Sequence, residues 1–222
     1  MLVADVMSVK LITVSRRTPL ADAVRLVSER GIRHLPVVEG DVVVGIVSDR
    51  DLKRAMASPA TSPSAHELGF LLERLTVDEI MTRSVITIGP GFPIEEAARL
   101  MVKEKISALP VTEAGRLVGI VTETDVLDLF VRAMGAGEPS SRLDVVVGDR
   151  HAALVDIADT VERAGATVAS VMTLVNRRGL KEAIVRIATI HPAPAITALR
   201  ARGYEVRHAD REARAAAHPP TP

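Results

Sequence analysis

The chain holds 222 residues, in which 28 Lys and Arg balance 28 Asp and Glu, with no Cys, no Trp, one Tyr and three Phe. This length allows one large domain or two smaller ones, while charge neutrality argues against a broad surface for gripping nucleic acid. So few aromatics leave little for stacking single strands, and the absence of Cys removes disulfides, Cys-zinc sites, iron–sulfur clusters and thiol nucleophiles.

The apolar runs are short, Leu117 to Val121 for example, well below the roughly 18 residues that a membrane-spanning helix needs. The segment from Met1 to Met7 lacks a basic region followed by a long apolar stretch, so no signal peptide is expected. These features predict a cytoplasmic protein with no membrane partner. The hydrophobic fraction of 47% is met almost entirely by Val, Ile, Leu and Ala, which suits buried strands under helices.

The dominant feature is an internal repeat. Val3 to Leu52 lies on Val77 to Val126 without a gap, at an offset of 74 positions, with 18 identities over 50 positions. Ordinary residue usage would give about three. The identities include Met7/Met81, Pro19/Pro93, Leu35/Leu109, Pro36/Pro110, Gly45/Gly119 and Asp51/Asp125. Two copies are too few for a solenoid, so they predict a pseudo-two-fold pair completing one core.

In chain order, Thr18-Pro19-Leu20 predicts a helix start with Thr18 as N-cap and Pro19 at the first helical position. Leu20, Ala23, Val24 and Val27 continue at helical spacing to Arg30, and Gly31 ends the helix. Leu35 to Val38 and Val42 to Val47 read as strands around a turn at Glu39-Gly40-Asp41. Ser48 and Asp51 have capping-box spacing before a helix expected to start at Leu52. Ser58 to Ser64 reads as a loop, followed by a short helix from Ala65 to Arg74 with Phe70, Leu71 and Leu75 as apolar positions. The second copy repeats the pattern: a helix from Phe92-Pro93-Ile94, strands Leu109 to Thr112 and Leu117 to Val121, and Thr122-Glu123-Thr124-Asp125 opening the next helix.

From Ser141 the pattern changes. Leu143 to Val147 reads as a strand, His151 to Ala164 as a helix stopped by Gly165, and Thr167 to Val175 as a strand. Asn176 to Gly179 is a hairpin connection, and Leu180 to Ile190 alternates, with Ala183, Val185 and Ile187 on one face and Glu182 and Arg186 on the other. Pro192 to Arg202 is a helix closed by Gly203, and Tyr204 to His208 a last strand. The order βαββαβ predicts an antiparallel four-stranded sheet with two helices on one face. Asp210 to Pro222, rich in Ala, Arg and Pro, is expected to be a disordered tail.

The unit "short strand, helix, strand, strand ending Gly-Ile-Val, Ser/Thr-x-x-Asp, helix", present twice with Leu-Pro-Val in both copies, resembles the CBS domain pair, or Bateman module. The resemblance covers about residues 1–134 and implies a mixed α/β fold: repeat 1 at 1–57, a linker at 58–76 and repeat 2 at 77–134. The βαββαβ segment at 141–209 resembles the ACT domain, a ferredoxin-like α+β module that senses small ligands and pairs in dimers. The combination resembles the acetoin-utilisation family of small bacterial proteins.

The CBS resemblance implies an adenosine ligand such as AMP, ADP, ATP, NAD or S-adenosylmethionine in clefts between the repeats, with the Ser/Thr-x-x-Asp motif reaching ribose and phosphate. Helix N-termini offer free N–H groups to a phosphate. A hydroxyl can bond a phosphate oxygen, and a carboxylate can accept both ribose hydroxyls. Carried over by motif position, a first site would use Thr13, Arg33, His34 and Pro36 with Ser48, Arg50 and Asp51. The second would use Thr87, Ser107 and Pro110 with Thr122 and Asp125. Ser107-Ala108 stand in place of Arg33-His34, and Thr124 in place of Arg50, so the first site is expected to favour an anionic phosphate, and the second to bind a less charged adenosine, to rely on basic groups from across the cleft, or to stay empty. The adenine is expected between aliphatic side chains. The same hydroxyl–carboxylate pairs are equally the residues of plain helix caps.

The ACT resemblance implies amino-acid binding near a Gly at the first strand-to-helix turn. Here the turn is Asp149-Arg150-His151-Ala152 with Gly148 nearest, which favours a dimerisation role. CBS pairs stack through their helices, so Leu100, Met101, Leu127 and Phe130 are candidates for a homodimer face or for core.

Enzyme and DNA-regulator readings find no support. No phosphate-binding Gly-x-x-x-x-Gly-Lys-Ser/Thr loop, nucleophile elbow or His-Glu-x-x-His is present. His34, His66, His151, His191, His208 and His218 are scattered, so neither a catalytic nor a metal site is expected. Arg177-Arg178 is too small a patch for DNA. The sequence thus predicts a regulatory nucleotide sensor with no catalytic cofactor, a homodimer acting on an unknown protein target; a purely structural dimerisation module is the alternative.

Overall fold

A computed structural model describes residues 1–56 and 74–208. The chain divides into two compact units, Met1–Leu127 and Asp128–Pro222. The expected linker loop, most of the helix over 65–74, His66, His218 and the expected tail lie outside the described residues.

The first unit contains the two repeats as far as Leu127, within the last helix of repeat 2. Repeat 1 runs α1 (Leu20–Arg30), β1 (His34–Glu39), β2 (Val42–Ser48) and α2 (Asp49–Met56). Repeat 2 runs α3 (Ile94–Glu104), β3 (Ala108–Glu113), β4 (Arg116–Thr122) and α4 (Glu123–Ala133). Each strand pair is an antiparallel hairpin with the same register irregularity, between Val37 and Val38 in one copy and Val111 and Thr112 in the other.

Three expectations change. The short first strand of each repeat is a single parallel bridge, Val14 to Val37 and Ile88 to Val111. In repeat 1 the chain turns away at once, with Thr18 N–H donating to Ser15 O at 3.1 Å. Thr18 is not the N-cap of α1: its Oγ1 accepts from Ser15 N–H at 3.0 Å, and Pro19 takes the cap position. Helix α2 begins at Asp49 rather than Leu52, because Ser48 caps it directly.

The repeats interlock reciprocally. Val3 N–H donates to Phe92 O and Val77 N–H to Thr18 O, at 2.8 and 2.9 Å. Ser8 exchanges hydrogen bonds with Ile120, and Thr82 with Ile46. The core of repeat 1, built on Leu20, Leu35, Val37, Val47 and Leu52, is completed by Val77 and Met81 from repeat 2. Residues of one repeat thus complete the core of the other, in line with the pseudo-two-fold pair that the gapless repeat predicts. Both Gly-Ile-Val glycines are sites of close approach. A Cβ on Gly45 would lie 2.4 Å from Met81 Sδ, and one on Gly119 would lie 2.4 Å from Met7 Sδ.

The second unit holds β5 (Ser141–Val146), α5 (Ala153–Arg163), β6 (Val168–Val175), β7 (Lys181–Ile187), α6 (Ala193–Ala201) and β8 (Glu205–His208). The sheet order is β6-β7-β5-β8, all antiparallel, which is the expected βαββαβ ferredoxin-like topology. Leu143, Val145, Val185 and Ile187 share one core with Ile157, Val161 and Leu199 of the two helices. The first helix of this unit starts later than expected because Ala152 adopts a left-handed φ of 55°. Arg150 of the preceding turn stacks on Tyr204 and donates to the Arg202 and Gly203 carbonyls, which ties that turn to the approach to β8. Asp149 and His151 are exposed.

Candidate functional site

The two repeats enclose two clefts of similar size, about 330 and 300 Å³. Their composition follows from the interlocking. The segment before each repeat's first helix pairs with the other repeat's last strand, so each cleft combines the motif of one copy with the entry wall of the other.

The first cleft has Lys10, Arg33 and His34 of repeat 1 facing Thr122, Thr124 and Asp125 of repeat 2, with Leu11, Ile12, Ile32, Pro36 and Ile120 as its apolar lining. The second has Ser48, Arg50, Asp51 and Arg54 of repeat 1 facing Ser84, Lys105 and Ser107 of repeat 2, with Ile46, Val85, Ile86 and Ile106 as its apolar lining. The aliphatic walls expected for an adenine are present in both. The grouping of site residues by copy is not. Arg33, His34 and Pro36 stand with Thr122 and Asp125, whereas Ser48, Arg50 and Asp51 stand with Ser107.

Three expected site residues fall elsewhere. Thr13 and Thr87 are exposed, and neither lines a cleft; their neighbours Ile12 and Ile86 do. Pro110 is buried and lines neither, although its counterpart Pro36 does. The expected difference in charge is recast as well. The cations of repeat 1 are divided between the clefts, so neither cleft is without them. Sequence analysis missed Lys10, Arg54 and Lys105. Arg54 was signalled by its spacing of four from Arg50 on one helix face. Lys105 was signalled by occupying the place of Gly31.

Both motifs close on themselves. Asp51 Oδ2 accepts from Ser48 N–H at 2.9 Å and from Ser48 Oγ at 2.6 Å, and Asp51 N–H donates to Ser48 Oγ at 3.3 Å. The second copy is the same: Asp125 Oδ2 accepts from Thr122 N–H and Oγ1, both at 2.7 Å. These are capping boxes that satisfy orphan donors at the helix starts. They engage Oδ2 alone; among the described residues Oδ1 of each Asp accepts no hydrogen bond.

His34 faces both clefts. Its Nε2 is 2.8 Å from Ser107 Oγ across the repeat boundary. Burial holds the imidazole pKa below its ordinary value, and the Arg33 guanidinium adds to this; Asp49, Glu123 and Asp51 oppose it. Arg33 donates to Thr124 Oγ1, which draws its guanidinium over the opposing motif. Among the described residues no group of three or more His, Asp and Glu is placed to hold a metal. None of the described helices is long and apolar enough to cross a membrane.

The CBS domain model matches residues 3–58 and 77–132, half of the chain. The chain belongs to the CBS domain family, with both repeats present as a pair. A CBS domain-containing protein of Dictyostelium discoideum is 36% identical over 142 residues, covering 63% of this chain and 98% of that protein. The chain spans only 21–23% of longer relatives such as an inosine-5'-monophosphate dehydrogenase of Korarchaeum cryptofilum and a homoserine O-acetyltransferase of Methanococcoides burtonii. Among solved structures, the CBS domain pair of protein MJ0100 in complex with 5'-methylthioadenosine and S-adenosyl-L-methionine is 32% identical, with TM-score 0.51, covering 62% of this chain and 98% of that one. CBSX2 of Arabidopsis thaliana in complex with AMP is 30% identical, with TM-score 0.51, covering 59% and 97%. An AcuB protein of Vibrio cholerae, assigned to acetoin utilization, is 31% identical, with TM-score 0.52, covering 62% and 95%.

Proposed function

We propose that this protein is a regulatory sensor, not an enzyme, that binds an adenosine nucleotide (AMP, ADP, ATP, NAD or S-adenosylmethionine) between its CBS repeats. The observation that carries this reading is the pair of clefts, each setting a Ser/Thr-x-x-Asp helix start against an aliphatic wall and at least one cationic side chain of the other repeat. Related CBS pairs in complex with S-adenosylmethionine, methylthioadenosine and AMP support it. The nucleotide's ribose hydroxyls bond Oδ1 of Asp51 or Asp125, and its phosphate meets the adjoining helix start.

Repeat 1 is assigned to 1–57, the linker to 58–76, repeat 2 to 77–134, an ACT-like domain to 141–209 and a tail to 210–222. The ACT-like domain serves dimerisation or a second small ligand, in a cytoplasmic homodimer that acts on a protein target. Titration calorimetry with AMP, ATP, NAD and S-adenosylmethionine tests the sensor. Binding of at least one is expected in the wild type and a marked loss in Asp51→Ala. No binding of any of them at millimolar concentration leaves a structural dimerisation module as the function. Undiminished binding in Asp51→Ala removes that residue from the site.

A further inference from the structure

We infer that the Ser48–Asp51 cleft selects a nucleotide with a di- or triphosphate tail through Arg54 and Lys105, while the Thr122–Asp125 cleft takes an adenosine with one phosphate or none. This rests on the adenosine reading of both clefts and assigns them different ligands.

The Ser48–Asp51 cleft is lined by three cations, Arg50, Arg54 and Lys105. Among the described residues none of the three lies within ion-pair distance of a carboxylate. Asp51 stands three residues before Arg54 on the same helix, but its Oδ2 is committed to Ser48. Arg50 and Arg54 are one turn apart on α2, so they share one face of that helix, and both line the cleft with Asp51. Lys105 faces them from the other repeat. It holds a left-handed φ of 55° at the end of α3, where the first copy has Gly31 at 61°. A side chain is disfavoured there by roughly 1–2 kcal/mol, and the one this position carries belongs to a lysine that lines the cleft.

The pseudo-symmetric positions of the Thr122–Asp125 cleft lack this arrangement. Thr124 replaces Arg50, Gly31 stands where Lys105 does, and the counterpart of Arg54 is Asp128, which pairs with Arg132 at 3.0 Å. The cations lining that cleft are Lys10 and Arg33, two against three, and one of the five guanidinium N–H groups of Arg33 is given to Thr124 while its charge remains. A single phosphate satisfies the latter set. Successive phosphates are needed to engage Arg50, Arg54 and Lys105 together, and guanidinium groups suit them because they bond phosphate oxygens bidentately.

The test titrates adenosine, AMP, ADP and ATP into the full chain carrying Asp125→Ala, which leaves the Ser48–Asp51 cleft, and into Asp51→Ala, which leaves the other. In Asp125→Ala the affinity is expected to rise at least about tenfold from AMP to ATP, with a steeper salt dependence for ATP. Adding Arg54→Gln, which keeps a polar side chain and removes its charge, is expected to erase most of that rise while changing AMP affinity by less than about threefold. Lys105→Gln provides an independent second variant with the same expectation. In Asp51→Ala, AMP and ATP are expected to bind within about threefold of each other. An equal gain from added phosphates in both backgrounds overturns the inference, as does a gain that survives Arg54→Gln and Lys105→Gln together. AMP binding with no phosphate-dependent gain overturns it while leaving the adenosine reading intact. Failure of all four compounds to bind the wild type overturns both.

Discussion

Gly45→Ala tests the interlocking that builds both clefts. The new methyl group would lie 2.4 Å from Met81 Sδ and 3.1 Å from its Cγ. Non-bonded heavy atoms settle at about 3.5–4.0 Å, so the sulfur has to retreat by more than about 1 Å. The space for that retreat is small, since Met81 is 6% exposed and packs in the repeat 1 core. The backbone offers little relief, because Ile46 and Thr82 beside it exchange hydrogen bonds of 3.0 and 2.9 Å. Overpacking of this kind costs about 1–3 kcal/mol, and at roughly 2–4 °C per kcal/mol for a chain of this size the melting temperature drops by about 2–12 °C. Urea and thermal unfolding of the full chain measure it. The decisive assay is a double-mutant cycle with Met81→Ala, which vacates the space the methyl needs. The double variant is expected to be more stable than the sum of the single effects by at least about 1 kcal/mol. Strict additivity would refute the contact as the cause. Gly119→Ala meets Met7 at the same distance, but Met7 is only half-buried and yields more easily, so its cost is expected to be smaller.

Two further predictions concern His34 and the helix faces. Burial and Arg33 depress the His34 pKa, so the folded chain keeps the imidazole neutral where the unfolded chain takes up a proton. Its contribution to stability is therefore fully present above the ordinary value of about 6.5 and is lost as pH falls from there toward the lowered folded value. An anionic phosphate in either cleft raises that folded pKa. AMP binding near pH 6 is then expected to take up protons, seen as a dependence of calorimetric enthalpy on the buffer's ionisation heat and absent in His34→Gln; no uptake in the wild type would count against a phosphate beside this ring. Met101 is 2% exposed, so Met101→Ala is expected to cost about 2–5 kcal/mol in urea unfolding. Phe130 is 52% exposed, and Phe130→Ala is expected to leave stability within about 0.5 kcal/mol while shifting sedimentation toward monomer. Unchanged sedimentation would remove Phe130 from the proposed homodimer face.

Much of the fold was legible because its signals are local. Apolar spacing marked α1 and α3, the Gly-Ile-Val runs marked β2 and β4, and alternation in Ala183, Val185 and Ile187 marked the inner face of β7. Ser48 and Asp51 announced their capping box by spacing alone. Where local rules compete, the reading slipped: Thr18 has the chemistry of an N-cap but spends its hydroxyl on Ser15, and the residue after Val14 already turns. The composition of the clefts was not legible. Which motif faces Arg33 depends on Ser8 pairing with Ile120 and Ile46 with Thr82, contacts far apart in sequence. A repeat shows which residues are equivalent, not which copies meet.

That exchange has a mechanical consequence. Had each cleft been assembled within one repeat, a ligand would stabilise that repeat and leave its packing on the other unchanged. Here any occupant of the Ser48–Asp51 cleft touches α2 of repeat 1 together with Ile106 and Ser107 of repeat 2, and any occupant of the other cleft spans the boundary in the opposite sense. Binding therefore favours the interlocked arrangement by its full mass-action term. By reciprocity, whatever loosens the boundary weakens binding by the same factor. The two glycine–methionine contacts and the His34–Ser107 bond lie on that boundary. Close-packed contacts of this kind admit discrete arrangements rather than gradual give. A ligand with unequal affinity for two such arrangements would shift the population between them.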